Sequence, residues 1–331
     1  MKNPNKVAVI FTGGTISMKI DPRIAAAIPA LSSEEIMSMV TNIDKYADIE
    51  IVNFANIPGP HMTPKLMMEL AVIIKQLVAR DDITGVVVTH GTDSLEETAY
   101  FLDLIINSVK PIIIVGAMRS SSELGYDGPS NLSAAICTAI SEHAKNKGVL
   151  VVMNNEVNAA SEVTKTHTLS LDTFKAMEFG PLGIVDNDEV IIYRDITKHH
   201  HIDTEIIEDN VGLIKCAVGM DSRLINCCVD SGAKGIVIEA MGRGNIPPLM
   251  VPGIEYAIKN DVTVVLVSRV PMGRVLDTYG YEGAGRSLRN MGVIFGGNLP
   301  GQKSRIKLML ALGYTKDKNT IKDIFEKGFY N

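Results

Sequence analysis

GVVVTHGTDSLEETAYFLDLI, residues 85–105, decides the architecture. Its opening, Gly85 to Thr89, is a short continuous apolar run, the pattern of a strand covered on both faces of a parallel sheet. The residues after it begin a helix, so His90-Gly91-Thr92-Asp93 falls at a strand-to-helix junction. Ser94 with Glu97 three residues later predicts a capping box there. In an open parallel sheet, ligands collect beyond the carboxyl ends of the strands, where helix N-termini offer free N–H groups and a partial positive charge. Fold and function are thus read from the same junction.

The same rhythm extends in both directions. KVAVIF (Lys6 to Phe11), IEIVNF (Ile49 to Phe54), PIIIV (Pro111 to Val115) and VLVVM (Val149 to Met153) are further strands. Between the second of these and Gly85, Leu66, Leu70, Ile73, Ile74 and Leu77 share one helical face, with Thr63 as N-cap and Pro64 in the first turn. The pattern fades in TKHHHIDTEIIEDN, then resumes with GLIKCAV, GIVIEA and VTVVLVS. Helices are predicted near Asp221–Ser231, Pro252–Lys259, Gln302–Leu312 and Asn319–Lys327. A chain of 331 residues exceeds what one ordinary core holds. The expectation is an α/β protein with a larger N-terminal parallel-sheet domain (1–196), a linker (197–210) and a smaller C-terminal α/β domain (211–331).

Composition narrows the function classes. The 46% apolar content is that of a globular protein and argues against disorder. A net charge of -6, with Lys198 and three histidines as the longest basic cluster, gives no footprint for nucleic acid. No stretch approaches the ~20 apolar residues of a membrane span. The first apolar run leads into a Gly-rich turn instead of a cleavage site, so it reads as a strand. Cys137, Cys216, Cys227 and Cys228 lack C-x-x-C spacing and are expected as reduced thiols of a cytoplasmic protein. His199, His200 and His201 read as a solvated linker, because three consecutive side chains rarely converge on one ion, and no metal or cofactor is expected.

Three pieces carry chemistry. Thr12-Gly13-Gly14-Thr15 follows the first strand, where two glycines let the backbone turn sharply and approach a ligand. It suits a nucleophile or a plain structural turn, while a phosphate loop is disfavoured because G-x-G-x-x-G and Gly-Lys-Ser/Thr are both absent. Thr92 and Asp93 place a hydroxyl beside a carboxylate, as an amide hydrolase needs, although a lone Asp there also serves as a helix cap. Lys165, between Thr164 and Thr166, is an ordinary surface lysine unless it stands near a hydroxyl, where it can take or give a proton. Spacing alone does not bring the three together.

FTGGTIS, THGTDSLEETAYFLDL, PIIIVGAMR, DGPSNL, GVLVVMN and EVTKTHT together resemble the bacterial-type L-asparaginase/glutaminase family over nearly the whole chain. The resemblance implies that Thr15 attacks a side-chain amide to form an acyl-enzyme, releasing ammonia before water frees the acid. Thr92, Asp93 and Lys165 are then the second hydroxyl–carboxylate–lysine group, with Asp93 also anchoring the substrate's α-ammonium. Gly14, Gly59, Pro60, Gly91 and Ala117 are implied as substrate contacts. MGRGN and GYEGAG match segments that complete the site across an intimate dimer, which assigns Asn245 and Glu282 and implies a dimer of dimers. The implied substrate is L-asparagine, with glutamine slower. The alternatives are a related or modified amide, and the ammonia-producing subunit of a tRNA-dependent amidotransferase, which usually carries a further domain before TGGT.

Two departures stand out. The family's lid after the first motif corresponds to Ser17–Ser32, which lacks the tyrosine of the better-known secreted members; Arg23 and Tyr281 are the candidates to replace it. Where those members carry a Ser-Gln pair for the substrate carboxylate, this chain has Gly59 and Pro60 within Pro58-Gly59-Pro60-His61-Met62.

Overall fold

Val7, Ala8, Val9 and Ile10 have no exposed surface, as a run of this kind must in the middle of a sheet. They form β1 (Lys6–Gly13). This computed structural model describes residues 5–41, 43–196 and 200–327, and the chain divides into two units between His201 and Ile202.

In the first unit β1 is followed by β2 (Met18–Asp21), β3 (Ala26–Pro29), α1 (Ser33–Ser38), β4 (Asp48–Ile57), α2 (Pro64–Val78), β5 (Gly85–Thr89) and α3 (Leu95–Ile105). Then come β6 (Ile112–Val115), α4 (Gly128–Ile140), β7 (Val149–Met153), β8 (Glu156–Ala159), β9 (Thr164–Lys165), β10 (Phe174–Lys175), β11 (Gly183–Asp186) and β12 (Glu189–Ile192). Eight strands make one sheet in the order β12-β11-β8-β7-β6-β5-β1-β4. From β4 to β7 neighbours run parallel, but β7–β8, β8–β11 and β11–β12 are antiparallel. The expected parallel sheet is therefore mixed. The cause is local turn chemistry: Asn154-Asn155 and Asn187-Asp188 all have positive φ, the conformation of two-residue hairpins that Asn and Asp tolerate.

α2 begins as predicted, with the Thr63 hydroxyl accepting from Leu66 N and Pro64 in the first turn. It buries Met67, Leu70, Ala71, Ile74 and Leu77, and each large side chain among them contributes on the order of 1.5–3 kcal/mol. Leu66 and Ile73 lie half-buried at the margin of that face. The capping box at Ser94 does not form. Ser94 occupies the cap position without a side-chain cap bond, because its hydroxyl donates instead to the Gly59 carbonyl at 2.6 Å. A complete capping box is found elsewhere, at Ser32 and Glu35 ahead of α1.

The segment 17–32 is a β-hairpin, β2 pairing antiparallel with β3 from Met18↔Pro29 to Asp21↔Ala26. An Asp21–Arg23 ion pair closes its tip. At the far ends of the large sheet, the Tyr46 hydroxyl donates to Asp188, linking the approach to β4 with the β11–β12 turn. That carboxylate pushes the Tyr46 hydroxyl up to about 12.

The second unit contains β13 (Val211–Lys215), α5 (Arg223–Asp230), β14 (Gly235–Ala240), α6 (Val251–Lys259), β15 (Thr263–Ser268), α7 (Gly285–Asn290), β16 (Ile294–Phe295), α8 (Gly301–Tyr314) and α9 (Lys318–Glu326). Its four strands run parallel in sequential order. Ile236, Ile238, Leu266, Ile225, Met250 and Ile254 are fully buried in its core. Of the expected linker, residues 197–199 lie outside the described residues. Its later part is not a free tether: Ile202 and Thr204 are buried, and Glu208 N donates to the Met309 carbonyl of α8. Among the described residues all four cysteines are free thiols and no helix is long and apolar enough to cross a membrane.

Candidate active site

β1 ends at two glycines that no other residue replaces without strain. Gly13 and Gly14 have φ of +107° and +84°, a region L side chains avoid. The conformation turns the chain into a single 3₁₀ turn, Thr15–Ser17. Gly14 N donates to the Ile57 carbonyl at 2.9 Å, and the Thr12 hydroxyl to that of Thr89 at 2.7 Å. Tyr126 donates its hydroxyl to the Ile16 carbonyl at 2.6 Å. Ser17 Oγ lies 2.9 Å from Gly14 O and 2.8 Å from Asn56 Oδ1. Thr15 is thereby presented, half-buried, on a turn fixed from several sides.

The junction after β5 approaches this turn backbone to backbone. A Cβ on Gly14 would stand 2.4 Å from Gly91 Cα, and one on Gly91 would stand 2.5 Å from Gly59 Cα. Segments leaving β1, β5 and β4 therefore stack glycine on glycine, and Thr15 and Thr92 each follow one of two glycines in contact. This cluster lies beyond the carboxyl ends of adjacent parallel strands, where α/β sheets place ligands.

Lys165 arrives from later in the chain, on the ribbon formed by β9 and β10. Phe174, paired with Lys165 across the ribbon, is buried and anchors it. Lys165 Nζ lies 3.0 Å from Thr92 Oγ1 and 2.8 Å from Asp93 Oδ1. The Lys165 side chain is 17% exposed and that of Asp93 64%, so the amine is sheltered while a carboxylate remains open to a cationic ligand. Thr92 itself is buried. A lysine bonded to a sheltered hydroxyl can move a proton to or from it.

His90 supports the junction from beneath. Its ring is buried, and Nδ1 lies 2.9 Å from the Gly91 carbonyl. A carbonyl only accepts, which assigns the proton to Nδ1. Burial pushes the imidazole down to about 4.

The structure brings together Gly14, Thr15, Gly59, Gly91, Thr92, Asp93 and Lys165. Pro60 is exposed beside Gly59, and Ala117 is fully buried just beyond β6. Asn245 and Glu282 belong to the second unit: Asn245 closes a tight turn through a β-bridge with Met241, and Glu282 is exposed. Arg23 is engaged with Asp21 in the hairpin tip. Tyr281 is exposed, its ring 5.9 Å from that of Tyr279. Sequence reasoning gave no site role to Thr12 of the TGGT motif, to Ser94 beyond that of a helix cap, or to Tyr126, Asp127 and Asn131, the last two lying in the DGPSNL stretch, where Asp-Gly-Pro announces a helix start. No group of three or more His, Cys, Asp or Glu suited to a metal occurs among the described residues.

Two family models match the chain: "Asparaginase, N-terminal" over residues 6–198 and "Glutaminase/Asparaginase C-terminal domain" over residues 210–325. An L-asparaginase of Bacillus licheniformis is 36% identical, the alignment covering 97% of this chain and 98% of that one. The crystal structure of a probable cytoplasmic L-asparaginase from Campylobacter jejuni superposes with a TM-score of 0.87 at 34% identity, covering 97% of this chain and 99% of that one. One subunit of the glutamyl-tRNA(Gln) amidotransferase of Pyrococcus abyssi is 34% identical over 96% of this chain and 74% of its own length.

Proposed function

The chain belongs to the asparaginase family, and from that premise we propose that it hydrolyses the side-chain amide of L-asparagine through a threonine acyl-enzyme. The observation that carries the reading is the pair of bonds from Lys165 Nζ to Thr92 Oγ1 and Asp93 Oδ1, set beside the turn that presents Thr15.

Thr15 Oγ attacks the amide carbon. The C–N bond breaks, the Thr15 hydroxyl proton ends on the leaving nitrogen, and ammonia departs from a Thr15 ester. Water then adds its oxygen to the acyl carbon and returns a proton to Thr15, freeing aspartate. Thr92 and Lys165 relay protons in both halves, and Asp93 holds the α-ammonium group while orienting the lysine. Gly14, Gly91 and Gly59 bring the backbone against the substrate, with Ala117 as a further contact behind them. Asn245 and Glu282 act from a neighbouring subunit in a dimer of dimers. Glutamine is turned over more slowly, one methylene being worth about 1–3 kcal/mol in a fitted pocket. The free thiols and the likeness to a cytoplasmic L-asparaginase support a cytoplasmic location.

A second reading, a related or carboxylate-modified amide, is favoured by one feature. Pro58 and Pro60 have no N–H, and Gly59 has no side chain, so this stretch offers few donors to a free α-carboxylate. The likeness to the amidotransferase of Pyrococcus abyssi keeps ammonia supply to a tRNA-bound substrate as a third.

The test is ammonia release from L-asparagine, L-glutamine, D-asparagine and carboxylate-modified asparagines, with Thr15→Ala and Thr92→Ala as controls. Turnover of L-asparagine lost by several orders of magnitude in both variants, each folded normally, is the expected result. Full activity in Thr15→Ala sinks the nucleophile assignment, and turnover confined to modified amides replaces the substrate.

A further inference from the structure

Thr92 is branched, and its two arms meet different walls. Oγ1 faces Lys165, whereas Cγ2 faces Gly116: a Cβ built on Gly116 would lie 3.1 Å from Thr92 Cγ2 and 2.7 Å from the His90 carbonyl. A β-branched side chain fixes its rotamer by where its methyl fits. The Gly116 backbone is therefore the surface against which the hydroxyl of Thr92 is aimed.

That surface is held by two residues outside the catalytic group. Asn131 Nδ2 donates to the Gly116 carbonyl at 3.1 Å and to Asp127 Oδ2 at 2.9 Å. Asp127 accepts from Met118 N at 3.0 Å and Arg119 N at 2.9 Å, gripping the same loop two residues on. Asn131 Oδ1 accepts from Asn154 N at 3.0 Å, which fixes the amide's orientation. Gly116 N meets Met153 Sδ at 3.2 Å. Asn131 is 3% exposed, so its bonds face little competition from water.

We propose that Asp127 and Asn131, at the start of α4, are positioning residues that clamp the Gly116–Arg119 loop and through it set the rotamer of Thr92. Neither touches the Thr92–Asp93–Lys165 group, and their effect on rate passes through the Gly116 wall. The inference rests on the reading that Thr92 takes part in amide hydrolysis.

The experiment compares kcat, KM and Tm of Asn131→Asp, Asn131→Ala and the shape-conserving Asp127→Asn with the parent enzyme on L-asparagine. It repeats Asn131→Ala in a Thr92→Ser background, where no methyl remains for the wall to direct. A misaimed group costs on the order of 10²-fold in kcat, with KM within roughly threefold. In the Thr92→Ser background the same substitution is expected to cost far less, a non-additivity that a general loss of stability does not produce. Asn131 variants that lose Tm but keep kcat within about twofold overturn the proposal, as does an equal loss in both backgrounds. Should Asn131→Asp fail to fold, Asp127→Asn decides by the same criterion. Failure of the underlying reading looks different: the parent itself then releases no ammonia, or Thr92→Ala releases it normally.

Discussion

Gly14 and Gly91 touch through their backbones, so the turn that carries Thr15 and the junction that carries Thr92 can come no closer and tolerate no side chain between them. Gly91→Ala tests this. The added methyl would stand 2.5 Å from the Gly59 backbone and 3.4 Å from Gly14 Cα, so it forces the Thr92 junction away from the Gly59 segment and crowds the Thr15 turn. We expect a loss on the order of 10²-fold in kcat and about 1–3 kcal/mol of stability, read from ammonia release and urea unfolding.

Lys165 separates charge from chemistry. Lys165→Met removes both bonds to Thr92 and Asp93, and kcat is expected to fall by about 10²–10⁴-fold. Lys165→Arg keeps the charge but brings a planar group that does not deprotonate near neutrality, and it is expected to remain as impaired as the methionine variant. Steady-state kinetics with circular dichroism as a folding check decides; recovery by arginine would show that charge alone suffices.

Thr63 lies on the exposed surface at the start of α2 and works only as a cap. Thr63→Ala should cost about 1 kcal/mol of stability with kcat and KM unchanged, measured by denaturant midpoint and kinetics.

His90 makes the fold sensitive to mild acid. Its folded value of about 4 lies below the ordinary 6.5, so between these values the unfolded chain binds the proton and the folded chain does not. Its contribution is fully present above pH 6.5, is lost as pH falls towards 4, and amounts to roughly 3 kcal/mol. Urea midpoints across this window should fall steeply in the parent and less so in His90→Gln; parallel curves would contradict the assignment.

Glu50 acts in a lower window. Arg80 and Lys6 hold its carboxyl at about 2, below the ordinary 4.5. That stability is present above pH 4.5 and is lost as pH falls through 2. The pair is partly exposed, with side-chain accessibilities of 27% for Glu50 and 39% for Arg80, so the effect shrinks in salt. Glu50→Gln should flatten the acid limb below pH 4.5 and leave the His90 window untouched, as followed by circular dichroism during acid titration.

Strands buried on both faces were legible as short, continuous, Val- and Ile-rich runs set between longer helical segments: Gly85–Thr89, Val149–Met153 and Gly235–Ala240 have the bounds those runs predict. The antiparallel half of the large sheet was not, since β8, β11 and β12 are four residues each and depend on turns whose signal, Asn154-Asn155 and Asn187-Asp188, is only two residues long. The cap at Ser94 escapes a sequence reading because a local pattern competes with a distant carbonyl, Gly59, that no local pattern reveals. Thr15, Thr92, Asp93 and Lys165 stood out as motifs. What joins Lys165 to Thr92 is a ribbon of two residue pairs, too short to leave a periodic trace.

That ribbon lies 73 residues beyond Thr92. At the ~5–20 residues per second of translation, roughly 4–15 s pass between synthesis of Thr92 and synthesis of Lys165. On the proposed mechanism, a nascent chain that has already laid down both threonines holds an unarmed nucleophile throughout that interval, and hydrolytic competence begins only once the later strands have been made.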